Sequence, residues 1–296
     1  MRLVRADRKS LLLGTALAST LLVGVALTPT PAFAVVDCTG DFLPVFPIDH
    51  TGETEPIDCL NFLPRTGVLG FDAIALATTG DNNTIDLTNL ATGILISTGL
   101  EVEGIFTYTD GANSSITIDN RAAVATAGIE AEGIYAFSTG AGSGINIVNS
   151  GPIATVGVEA EGIYARTESA GSPIIIVNSG PVATAGIDAG GVFAFARGTT
   201  GSPITLINSG PIATSGGFSV GLDAQSDGDA SPIVFVNSGP VATLGIYSAG
   251  IVVAAGGNGS DIVFCEQRPC FDGWLQSTRH KRGGRRRQQS LSDEQR

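Results

Sequence analysis

Histidine is almost missing from this chain: His50 and His280 are the only two, and they lie far apart. That removes the usual general base and the commonest metal ligand from consideration. The four cysteines show no zinc spacing with them. Charged residues make up 15% of the sequence, well below the usual quarter, which excludes a charge-rich coiled coil. Apolar residues stand at 43%, too many for an acidic disordered chain. Basic residues are scarcest in the middle. Between Val35 and Phe264 only Arg65, Arg121, Arg166 and Arg197 oppose 23 acidic residues. Such a surface repels nucleic acid and anionic lipid. No Gly-x-Ser-x-Gly on a strand-turn-helix pattern offers a serine nucleophile.

What is present begins with a leader. Arg2, Arg5, Arg8 and Lys9 precede the apolar run Leu11–Leu27, and Ala32-Phe33-Ala34 gives the small-x-small pattern of a signal peptidase site. Cleavage is expected after Ala34, by the general secretory route, leaving the chain in an oxidising compartment. Cys38 and Cys59 follow the cleavage site and are the candidate disulfide pair. No later stretch is long and apolar enough to span a membrane as a helix.

Glycine is abundant, 40 of 296 residues and about twice the usual share. It recurs within a repeat. Asn149-Ser150-Gly151-Pro152-Ile153-Ala154-Thr155 returns at 178–184, 208–214 and 237–243, with weaker copies starting at Asn120 and Asn89. A second motif keeps step: Glu-Gly-Ile-Phe at 103–106, Glu-Gly-Ile-Tyr at 132–135 and 161–164, and Gly-Gly-Val-Phe at 190–193. Six units cover 89–265. Each holds about three short β-rich segments separated by Gly, Ser, Asn and Asp, with no helical periodicity. A unit this small buries its apolar face only by stacking on its neighbours. The expected fold is all-β: a parallel β-helix of about six coils of 29–30 residues. Residues 35–88 are then an N-terminal cap region, with a degenerate coil around Gly70–Ala75.

Stacking gives position-specific expectations. Asn120, Asn149, Asn178, Asn208 and Asn237 should form a ladder of side-chain amides along the axis. Gly151, Gly180, Gly210 and Gly239 mark a turn that needs either a positive φ or room for a close backbone. The carboxylates make two columns, Glu101, Glu130, Glu159 and Asp188 in one, Glu103, Glu132 and Glu161 in the other. Two-residue spacing on a strand would put both on one face. Calcium would relieve their repulsion, making these seven residues a weak candidate cation site beside the plainer reading of a solvated acidic face. No cofactor is expected. The carboxylates recur at equivalent positions instead of forming one distinct acid pair, so no enzyme is expected either.

The repeat, Ser-Pro-Ile-x-Ile-x-Asn-Ser-Gly-Pro-Ile-Ala-Thr-x-Gly followed by Ala-x-Gly-Ile-Tyr-Ala, resembles the repetitive passenger domains of bacterial autotransporters over residues 89–265. The resemblance implies a right-handed β-helix shown at the cell surface and often adhesive, carried by a C-terminal outer-membrane barrel. Nothing after Gly259 has the alternating strands of a barrel. Composition changes at Cys265, and five basic residues fall within Lys281–Arg287. The junction reads as a frameshift. One T inserted after the first codon turns TTC GTG AAC AGC GGC CCT GTT into codons for Phe-Cys-Glu-Gln-Arg-Pro-Cys, which is Phe264–Cys270. The other frame continues Asn-Ser-Gly-Pro-Val-Ser-Thr-Ala-Gly, the repeat itself. Residues 265–296 are therefore expected to be a frameshifted, disordered tail.

The expected role is surface or extracellular interaction such as adhesion. The partner is an unidentified surface ligand, or another copy through the solenoid ends, with no nucleic acid and no membrane contact except through a barrel absent from this chain. The expected location is the cell surface when a barrel is present, and the periplasm or medium otherwise. The alternatives are a secreted carbohydrate-active or carbohydrate-binding solenoid, and a nonfunctional product of a disrupted gene.

Overall fold

The computed structural model describes residues 36–38, 47–68, 70–198 and 200–266. The leader, its cleavage site and the tail beyond Glu266 lie outside the described residues. The described chain is all strand and turn, wound as a parallel β-solenoid of about seven turns. Three sheets form its walls. The eight-stranded sheet starts at Ile48–Glu53 and ends at Ala249–Ala255. The nine-stranded sheet runs from Val36–Asp37 to Ile262–Glu266. The seven-stranded sheet runs from Arg65–Val68 to Val241–Leu244.

One repeat makes one turn. Ile134–Ser138 belongs to the eight-stranded wall, Ile145–Asn149 to the nine-stranded and Ile153–Val156 to the seven-stranded. Rungs pair in parallel with the equivalent residues of the next, Ile145 against Ile174 and Asn149 against Asn178, with one register shift, between His50 and Glu53 at the first coil. The period-2 pattern explains why. Ile145 and Ile147 are buried, whereas Asn146 is half-buried and Val148 exposed. The inward side chains stack into one continuous core, with Ile134, Ile145, Ile147 and Ile153 all at 2% exposure or less. Each such side chain contributes about 1.5–3 kcal/mol on burial.

Stacking starts earlier than the visible repeat. Ile57-Asp58-Cys59-Leu60-Asn61 and Ile85-Asp86-Leu87-Thr88-Asn89 occupy the same wall as Ile145–Asn149, in register with it. At the other end the strand continues through Cys265 to Glu266, with Glu266 set against Asn237.

The prolines fit because a rung needs an acceptor from them and no donor. The N–H groups of Val124, Ile153 and Val182 donate to the carbonyls of Pro152, Pro181 and Pro211, each at 2.9 Å. The repeated glycine of the Asn-Ser-Gly-Pro turn is there for space. A Cβ on Gly151 would lie 1.9 Å from the carbonyl oxygen of Ala122, and one on Gly180 2.1 Å from that of Gly151.

Candidate functional site

The asparagine column is continuous. Nδ2 of Asn120 donates to Oδ1 of Asn149, Asn149 to Asn178, and Asn178 to Asn208, each at 2.7 Å; Asn208 donates to Asn237 at 2.8 Å. The second hydrogen of each amide turns inward along its own rung, as from Asn149 to the carbonyl of Gly151 at 2.9 Å. The ladder continues below Asn120 through Asn89, the faintest copy of the repeat, to Asn61, one rung before the repeat begins. At its first described rung, buried Arg65 donates to Asn61 Oδ1 through Nε at 3.0 Å, and the N–H of Leu63 donates to it at 3.3 Å. A second polar ladder was not foreseen. The N–H of Ser114 donates to Ser143 Oγ at 2.8 Å, Ser143 to Ser172, and so on through Ser202 and Ser231 to Ser260. Its signal in the sequence was the serine preceding each Ile/Val run. Both ladders satisfy buried polar groups that would otherwise cost about 1–3 kcal/mol each.

The two carboxylate columns do not share a strand face. Residues 99–104 form a corner between walls, and Glu101 there adopts φ +52°. Glu130, Glu159 and Asp188 repeat it at +50°, +53° and +56°. This left-handed residue reverses the direction that simple alternation would give. The first column is therefore partly exposed, while Glu103, Glu132 and Glu161 are buried at 0%, 0% and 6%. Asp72 extends the buried column by one rung, accepting the N–H of Glu103 at 2.7 Å. Among the described residues no three His, Cys, Asp or Glu side chains converge as a metal-ion site.

The corner is locked from rung to rung. The N–H of Glu101 donates to the carbonyl of Ile129, that of Glu130 to Val158, and that of Glu159 to Ile187, at 2.9–3.0 Å. Leu100, Ile129, Val158, Ile187 and Ile246 thus stand one above another, all exposed, at 62%, 51%, 38%, 56% and 71%. At the last two rungs the acidic position becomes Phe218 and Tyr247, whose rings stack at 5.3 Å.

The eight-stranded wall is apolar on both faces. Ile134, Ala136 and their equivalents face the core, while a separate cluster occupies the other side. There Phe106, Tyr135, Tyr164 and Phe193 form a file with ring centroids 5.0–5.7 Å apart. Beside it Arg166 lies over the Phe137 ring and pairs with Glu168. Burial pulls the Arg166 pKa down, but Tyr164, Glu168 and Tyr135 outweigh it, and the net shift is upward. The Gly-Ile-Tyr stretch reads from the sequence as a β segment, but its rings do not read as a file, because a strand buried on both faces shows no alternation. Being 3–9% exposed, they pack as part of the protein.

Cys38 and Cys59 are joined by a disulfide. Register explains it: Val36 pairs with Ile57 and Asp37 with Asp58, so the next residues face each other. Replacing both cysteines by alanine should cost about 3 kcal/mol, the loop-closure term for a link across about 20 residues. The loss should be local, because each coil touches only its neighbours. Hydrogen exchange should show faster opening of Ile57–Asn61 and unchanged protection at Ile174–Asn178. Uniform loss of protection along the rod would contradict the local picture.

Comparison with known protein families, curated proteins and solved structures finds no match to this chain.

Proposed function

We propose that the chain is the solenoid part of an autotransporter-like passenger, exported and used for surface or extracellular interaction such as adhesion, without enzymatic activity. The supporting observation is that its polar residues repeat from rung to rung as ladders and columns. Catalysis needs an acid and a base in unlike environments, whereas a rod of near-identical rungs provides extended, repeated surface.

The register bears on the C-terminal end. Position 266 is the next rung of the asparagine ladder after Asn237, and the shifted reading frame places asparagine there. The carboxylate of Glu266 cannot donate, so it does not extend the ladder in the way an amide does. This favours a coil that continues in the other frame. Resequencing the gene through the codons for Phe264–Cys270 and downstream is the test. One surplus base, or a shifted frame running through further repeats into alternating strands of about ten residues, is the expected result. A verified frame with no barrel in any frame would end the surface-display reading.

A further inference from the structure

We propose that the corner between the seven- and eight-stranded walls is a docking ridge for a cationic amphipathic helix. This rests on the reading of the rod as an interaction module and names the face and the partner chemistry. Three features of the corner carry it.

The first is exposure. Leu100, Ile129, Val158, Ile187 and Ile246 are large aliphatic side chains in water, aligned along the axis and not scattered. Contiguous exposed apolar surface of this kind marks an interaction site. From Leu100 to Ile246 the ridge rises five steps, with a gap at Gly217, or about 24 Å at the strand spacing. An α-helix of about 16 residues has that length.

The second is charge. Each of the first four ridge residues is followed by an acid, namely Glu101, Glu130, Glu159 and Asp188, all partly exposed. The column of like charge runs parallel to the apolar one. It disfavours an anionic membrane or a nucleic acid. It also disfavours a second copy of this chain laid ridge to ridge, which would oppose the two acidic columns. Lysine or arginine flanking an apolar stripe complements both columns together. The charge ends where Phe218 and Tyr247 replace the acids, 54% and 81% exposed. The partner therefore has a direction, with its basic flank over the first four rungs and an apolar end on the aromatic pair.

The third is rigidity. The hydrogen bonds from each acidic residue's N–H to the carbonyl of the next rung, at 2.9–3.0 Å, fix the backbone of the corner before anything binds. A preformed surface loses little entropy on association.

The test uses the full chain and an 18-residue peptide of leucine and lysine with its leucines on one helical face. Titration calorimetry should show binding that weakens with added salt. L100S/I129S/I187S should weaken it at least about tenfold, about 1.4 kcal/mol. E101Q/E130Q/E159Q should weaken it too and flatten the salt dependence. Hydrogen exchange on the unaltered chain should slow at residues 99–104 and their equivalents when peptide is added, a readout that survives a poorly folding variant. Equal binding by all variants overturns the proposal, as does equal binding of the peptide with every lysine changed to glutamate. Self-association of the unaltered chain that L100S/I129S/I187S abolishes also overturns it, making the ridge an interface between copies. None of these outcomes depends on whether a barrel follows, so the ridge and the passenger reading fail separately.

Discussion

Asn149→Asp should destabilise the rod by about 5 kcal/mol at neutral pH, from the cost of a buried charge without a partner. Oδ1 of Asn149 accepts from Asn120, while Nδ2 donates both to Asn178 Oδ1 and to the Gly151 carbonyl. A carboxylate keeps the first bond and turns the other two into contacts between acceptors. The site is fully buried, so water does not relieve them. Asn149→Ala should cost about 3–4 kcal/mol, since it also strands those acceptors, but adds no charge. The two variants separate with pH. Burial raises the folded-state pKa of the introduced carboxyl above its unfolded value of about 3.9. The excess penalty of Asn149→Asp is therefore small below that unfolded value, grows as pH rises, and is complete above the folded-state pKa. Asn149→Ala should show no such trend relative to the unaltered chain. Asn146→Asp, on the same strand but half-buried and facing out, should stay within about 0.5 kcal/mol. Denaturant midpoints between pH 4 and 8 provide the comparison. Equal losses at positions 146 and 149 would mean the ladder is incidental to stability.

Much of the architecture was visible because stacking demands the same residue at the same place in each coil. Asn, Gly and Pro after every Ile/Val run exposed the period, and one coil per repeat followed from it. The copy at Asn89 was faint and the rung at Asn61 went unread because that turn is different there. Asn61-Phe62-Leu63-Pro64 and Asn89-Leu90-Ala91-Thr92 keep the asparagine and lose the Ser-Gly-Pro. Their inward pattern is nevertheless that of Ile145–Asn149, with Ile57, Cys59 and Asn61 buried. The carboxylates were harder to place. Two-residue spacing implies one face only on a strand. Glutamate is not a residue that announces a left-handed corner, so nothing in the sequence distinguished Glu101 from Glu103. The structure separates them, one at the surface and one in the interior. The same corner produced the exposed aliphatic ridge, and its lateral order became evident only once φ was known. The aromatic file escaped because a strand buried on both faces has no alternation to read.

Gly157→Ala should be among the most damaging changes of a single methyl group on the rod, and the same substitution at Gly142 should be far milder. Gly157 begins the corner with φ of +156°, and Gly142 sits in the turn before Ile145–Asn149 with φ of +70°, both in a region that L side chains rarely enter. The conformational cost, about 1–3 kcal/mol, is therefore common to both. They differ in what lies beneath. A Cβ on Gly157 would sit 1.6 Å from the carbonyl oxygen of Gly128 and 2.5 Å from its carbon, and backbone cannot rotate aside. Relief requires the rungs to part. That breaks the bonds from Gly128 N–H to Val156 and from Glu130 N–H to Val158, both 2.9 Å. At Gly142 the nearest obstacle is the end of the Asn113 side chain, Oδ1 at 2.8 Å, and the nearest backbone atom, the nitrogen of Asn113, is 4.0 Å away. Gly157→Ala should thus lose more than about 5 kcal/mol, the range reached only when a specific feature is destroyed. Parted rungs would leave two shorter stacks with newly exposed parallel edges, which favours aggregation. Gly142→Ala should yield a folded rod weakened only near that turn, with Ile204–Asn208 still protected from hydrogen exchange. Soluble yield, far-ultraviolet circular dichroism and denaturant midpoint measure the contrast. If the two variants behaved alike, backbone torsion alone would account for glycine at both turns, and the rung-to-rung approach would have no energetic consequence.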